Sequence, residues 1–253
     1  MHFHLPKPLH GWREFAGEVG IIVLGVLLAL SAEQLVEAGQ WRDKVSRAEG
    51  AMRLELGADN GPQAYGRVII GRCLDMQITH IHDGPGHVPV DELRQWVQAY
   101  TPPFSSWDSE AWKTVLGSDV GSHMGPERLV QWSSPYRVLT DLTQENHRER
   151  DLTIQLHEVL PPTGDPSSAD LQELRREAAQ LRTLNAGFYR ASQLVLARSQ
   201  ALGAPVAEPI KRELLREAKM IYGDCARAPD PNAKPLAQKL ETNLHWLPPS
   251  FGN

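Results

Sequence analysis

The chain has 253 residues, a net charge of −5 and a sequence pI near 6.1. That length fits one or two domains with a sizeable core, and the acidic balance removes the electrostatic ground for binding nucleic acid or anionic lipid. Arg175-Arg176 and Lys211-Arg212 are each diluted by glutamates and read as solvated helix faces, and no internal repeat appears.

The tail, residues 1–14, carries His2, His4 and His10, read as solvated or interfacial side chains. From Val19 to Ala32 the chain holds no charge and little that is polar except Ser31. With its flanks this gives a transmembrane helix over 15–38, long enough for a hydrocarbon core of about 30 Å. Trp12 and Trp41 bracket it about 43 Å apart at 1.5 Å per residue, as aromatic belts do. Two rivals are a buried helix of a soluble protein and a cleaved signal peptide. Against the second, Glu14 and Glu18 crowd the apolar segment, and Leu30-Ser31-Ala32 is a poor cleavage site. Glu18 stands near enough to the end to reach the interface. Ala16 with Gly20, and Gly25 with Ala29, repeat small residues at four-residue spacing, which permits close helix contact and a homo-oligomer through Gly20, Gly25 and Ala29.

The segment Trp12-Arg13-Glu14-Phe15-Ala16-Gly17-Glu18, leading into the apolar run and then Glu33-Gln34, resembles the opening of a group of bacterial single-pass membrane proteins with no assigned activity. Trp107 to Met124, centred on Ala-Trp-Lys-Thr-Val-Leu-Gly, is similar to a second block in that group. The resemblance implies an anchor followed by a mostly helical domain at the bacterial inner membrane. It implies no chemistry.

Orientation is weakly encoded. Lys7 and Arg13 precede the span; Arg42, Lys44, Arg47 and Arg53 follow it, interleaved with Asp43 and Glu49. Counting positives alone puts the body in the cytoplasm. The short tail and those acidic neighbours favour a periplasmic body instead. Cys73 and Cys225 either pair, in an oxidising compartment, or are two separate buried thiols.

Beyond the span, good helix formers over 39–60 predict a juxtamembrane helix that ends at Gly57 and Asn60-Gly61-Pro62 and carries the body off the bilayer surface. A bundle domain over 61–227 follows. Its first helix runs from Pro62 to about His82, and a short one from Asp91 to Tyr100 follows Pro89. Ser105 to Asp108 offers N-caps for a helix through Leu116, stopped by Gly117. A helix starting at Gly125-Pro126 kinks or restarts at Ser134-Pro135 and stops at Pro161-Pro162. Asp165 with Pro166 starts the next, which reaches Leu202 with Asn185 as a polar interruption of its apolar seam. These two long helices form an antiparallel hairpin. Pro209 to Tyr222 gives a last bundle helix, and the Pro-rich tail, 228–253, contains a short helix over 236–244. No persuasive strand emerges. The fold class is all-α: an N-terminal transmembrane helix and a helical bundle built on a long hairpin.

Chemical signatures are sparse. His80, His82 and His87 with Asp83 form the densest metal-ligand cluster, but histidines two apart face opposite sides of a helix and no cysteine completes a zinc site. Nucleophile-elbow, Ser-x-x-Lys and phosphate-loop patterns are missing, and Gly117 to Gly125 reads as a loop. Asp108 and Glu110 coincide with a helix start, where carboxylates favour the dipole. Trp96, Phe104, Trp107, Trp112 and Trp132 read as core. No residue is therefore assigned as catalytic, cofactor-binding or metal-binding. The leading expectation is a membrane-anchored, non-enzymatic binding or scaffolding module with the bilayer and an envelope protein as partners. The alternatives are a metal-dependent or otherwise unrecognised enzyme using His80, His82, Asp83 and His123, and a purely structural oligomer.

Overall fold

A computed structural model describes residues 11–229. The tail histidines and the expected helix over 236–244 lie outside the described residues. Within them the chain is all-α, with no strand: α1 (Trp12–Leu54), a π-helix (Glu55–Asn60), α2 (Gly61–Asp83), α3 (Val90–Ala99), α4 (Glu110–Leu116), α5 (Val120–Met124), α6 (Pro126–Val159), α7 (Ser168–Ala201) and α8 (Glu208–Tyr222).

α1, the π-helix and α2 follow one another without a break, a helical spine of about 108 Å at 1.5 Å per residue. The break expected at Asn60-Gly61-Pro62 is replaced by a wide turn. A proline inside an α-helix lacks its donor and presses on the carbonyl four residues back. The π-helix loosens that spacing: the Gly61 N–H donates to the Leu56 carbonyl, five residues earlier. Asn60 is fully buried, and its side chain clamps the wide turn to the α3–α4 connection. Its Nδ2 donates to the Asp108 carbonyl and its Oδ1 accepts from the Asp108 N–H, both at 2.8 Å.

Gly61 is required there for space. A Cβ would stand 2.6 Å from Val206 Cγ2 and 2.9 Å from the Leu56 carbonyl oxygen. Gly61→Ala is expected to cost about 1–3 kcal/mol of overpacking strain in thermal melts. Gly66→Ala, where nothing lies within 4 Å, serves as the matched control and should be neutral or slightly stabilising.

The bundle is assembled around this spine. α7 runs antiparallel to α2: Asn185 Nδ2 donates to the Gly71 carbonyl (2.9 Å), Arg182 faces Asp75, and Arg175 reaches the Pro85 carbonyl (3.0 Å). Asn185, legible only as an interruption of the apolar seam, thus fixes the register of that pair. α6 and α7 form the expected antiparallel hairpin, with Arg198 near the end of α7 donating to the Ser134 carbonyl near the start of α6 (2.8 Å). Pro135 is buried inside α6 and neither ends nor restarts it. The N-cap of α7 is Ser167 rather than Asp165. Ser167 and Asp170 form a reciprocal capping box, which satisfies two orphan backbone donors where Asp165 would satisfy one.

α8 returns alongside α2, and the short 3-10 helix that follows it, Gly223–Cys225, is tied to α2 covalently. Cys73 and Cys225 form a disulfide with Cα atoms 5.4 Å apart, resolving the two readings of the cysteines in favour of a bridge. The Arg227 N–H donates to the Ile69 carbonyl (3.1 Å) on the same stretch of α2.

Two apolar cores lie along the spine. The one far from the N-terminus joins Ile69, Leu74, Ile78 and Ile81 to Leu93, Tyr100, Leu156, Leu174 and Leu181. The nearer one joins Val45, Met52 and Leu56 of α1 and the π-helix to Trp107, Val115, Trp132, Tyr136, Leu139, Phe188 and Val195. The stretch 39–60, expected as a juxtamembrane helix, is therefore part of the bundle's packing. The body does not stand off at the end of a stalk but reaches down the spine to Trp41, where α5 meets α1.

Below that point nothing in the described chain covers α1. Ile21, Leu28 and Leu35 are 75%, 64% and 75% exposed, and the most apolar window of the helix is wholly unburied. By length and composition this helix can cross a membrane.

Candidate functional site

A cleft of about 680 Å³ opens where the apolar part of α1 gives way to the bundle. Gln34, Ala38, Trp41, Val45 and Glu49 recur on one face of α1 and form its wall, with Glu37 and Arg42 at the edges of that face. Opposite stand His123 and Arg128. They are brought there by a pair of glycine-marked turns: Gly117 ends α4, and Gly125, at φ 81°, lets α5 stop and α6 start on Pro126. α5, over a stretch expected to be loop, is what carries His123.

Trp41 is the fixed point of the cleft. Its ring stacks on His123 at 3.8 Å between centroids, Lys44 Nζ lies 4.0 Å from the ring centre, and its Nε1 donates to Glu37 Oε1 at 3.3 Å. The cation and the imidazole cannot share one face, so they occupy opposite faces. Glu49, 6% exposed, gathers three donors: Arg128 at 3.0 Å, Arg53 at 3.4 Å and the Trp132 indole at 3.4 Å. Its charge is thus compensated within the wall. Arg42 has no ion pair among the described residues and stays exposed.

A second polar centre is sealed inside the bundle. Arg67 of α2 and Glu149 of α6 form an ion pair at 2.7 Å with side chains 2% and 3% exposed. The Phe188 ring lies 4.2 Å from the guanidinium. Burial raises the Glu149 pKa, against which Arg67 works. Arg67 Nε and Nη1 and the Tyr100 hydroxyl find no hydrogen-bond partner among the described residues. The Tyr136 hydroxyl lies next to Glu55, and burial first and that carboxylate second raise its pKa. These groups are enclosed, which suits holding helices in register better than meeting a substrate.

The histidine cluster lies at the far end of α2. His80, His82, Asp83, His87, Trp96 and Arg175 line a cleft of about 540 Å³. His82 Nδ1 bonds the Asp83 carboxylate at 2.7 Å, and this hydrogen bond lowers the Asp83 pKa. His87 Nδ1 turns instead to the Asp83 backbone carbonyl at 3.0 Å. His123, offered with them from sequence, stacks on Trp41, about 58 Å away along the spine from His80. Among the described residues no three His, Cys, Asp or Glu side chains stand together as metal ligands.

Other candidates have structural places. Asp108 serves through its backbone, and Glu110 pairs with Lys113 at 2.7 Å. Trp107 and Trp132 are core and Trp112 stacks on Tyr136, but Phe104 is 56% exposed, outside the core expected for it. Around Gly20 and Gly25 the chain leaves open space.

Sequence reasoning missed Glu49, Arg67 and Glu149. A signal for the last was present: Leu142, Glu149 and Leu156 are spaced by sevens, which sets a carboxylate on the apolar face of α6. Comparison of the chain with protein-family models, with curated proteins and with solved structures finds no match.

Proposed function

We propose that this protein is a single-pass, membrane-tethered helical module of the bacterial inner membrane that acts by binding and positioning an envelope protein rather than by catalysis. The observation that carries this reading is the uncovered apolar part of α1, continuous with the spine on which the bundle is packed. A helix that no described part of the chain shields from water is stable when lipid shields it. Tethering confines the bundle to a thin layer at the bilayer surface and raises its effective concentration for partners there. The resemblance of the Trp12 to Gln34 segment to bacterial single-pass proteins supports the same membrane.

The Cys73–Cys225 bridge supports a periplasmic body, since such bridges form and persist in oxidising compartments. The test is the thiol state in cells. After acid quenching and denaturation, the full chain expressed in bacteria is expected to react with a maleimide–polyethylene glycol reagent only once it has been reduced. Two thiols free without reduction would place the body in the cytoplasm.

A further inference from the structure

We infer that the cleft beside Trp41 takes the head group of a zwitterionic aminophospholipid, a phosphodiester bearing a primary ammonium, from the leaflet that α1 leaves. The inference rests on the membrane reading and adds a ligand to it. If Trp12 and Trp41 mark the two interfaces, Gln34 to Trp41 lie at the depth of the head groups, and these residues form the lower wall of the cleft. A lipid of that leaflet reaches the cleft without leaving the bilayer. Its volume, about 680 Å³, falls in the range of small-ligand sites.

The charges select the head group. Arg42 and Arg128 line the cleft; Arg42 has no ion pair among the described residues, while Arg128 is held by Glu49 and adds to the positive field there. Guanidinium groups match phosphate oxygens in geometry and charge. Glu37 lines the same cleft with only the Trp41 indole as donor among the described residues, leaving acceptor capacity for an ammonium. An anionic head group without an amine satisfies the arginines but repels Glu37. A choline head group has no N–H for Glu37, and both faces of Trp41, the usual seat for a quaternary ammonium, are taken by Lys44 and His123. Only a phosphodiester with a primary ammonium meets both demands. Ala38 and Val45 provide apolar wall between them.

The test uses the full chain reconstituted into phosphatidylcholine vesicles with equal minor fractions of phosphatidylethanolamine and phosphatidylglycerol. Flotation is scored first, and retained lipids are then counted by native mass spectrometry after mild extraction. Phosphatidylethanolamine is expected to be retained several-fold over both others. Arg42→Gln and Glu37→Gln should each lower its retention about tenfold, as loss of one charge-assisted hydrogen bond does, while Arg216→Gln leaves it unchanged. Equal retention of all three lipids, preference for phosphatidylglycerol, or insensitivity to both cleft substitutions would overturn the inference. A chain that does not float with any vesicle fails the membrane reading itself, a separate outcome.

Discussion

Glu149→Leu with Arg67 left in place is expected to destabilise the bundle by about 3–5 kcal/mol, because it strands a guanidinium that is 2% exposed. The double variant Arg67→Met/Glu149→Leu should recover most of that loss. Two apolar side chains of similar volume avoid the desolvation that the ion pair must offset, and such replacements are often neutral or stabilising. The cycle is measured by unfolding the purified full chain in detergent, followed by tryptophan fluorescence. A single variant within about 1 kcal/mol of wild type, or a double variant as damaged as the single, would contradict the assignment of this pair as a sealed centre.

The pH dependence of that pair has a definite sign. Burial holds the Glu149 pKa above its unfolded value, so the native state binds its proton more tightly. The stability it contributes is fully present below the ordinary carboxylate pKa. It is lost as pH rises through the raised folded value. Glu149→Leu should remove this slope.

Reduction of the Cys73–Cys225 bridge is the second large effect. It closes a loop of 152 positions, for which the chain-entropy treatment gives about 5 kcal/mol of stabilisation, with measured bridges more often at about 2–4 kcal/mol. For a body of this size a loss of that order lowers the melting temperature by roughly 10 °C. Cys225→Ser should match the effect of reductant on the wild type, and reductant should add nothing to the variant. The damage should begin where α8 rests on α2, since the bridge and the Arg227–Ile69 hydrogen bond close that seam together. Melting curves that ignore both treatments would show that α8 is held by packing alone.

The helical class, the long hairpin and the apolar α1 were legible because each rests on local patterning: apolar spacing, Gly and Pro punctuation, and an uncharged run. The uninterrupted spine was not. Asn60-Gly61-Pro62 is a strong local breaker, and it was overridden by contacts from far away in sequence, the Asn60 clamp on Asp108 and the approach of Val206 to Gly61. The same applies to the cleft. Trp41, Arg42 and Glu49 look like an ordinary helix end until α5 and α6 bring His123 and Arg128 against them. Arg67 and Glu149 are 82 positions apart, and neither reveals its partner in a linear reading.

The proposal that α1 is one helix shared by lipid and bundle is tested most directly by alkaline carbonate washing of membranes from cells expressing the full chain. Wild type should stay in the pellet, and Leu24→Arg/Leu28→Arg should move to the supernatant, because each arginine near the centre of a span costs about 2.5–3.5 kcal/mol on insertion scales. Full-length wild-type protein released by the wash, with Trp12 to Ala38 still attached, would contradict the account at its base.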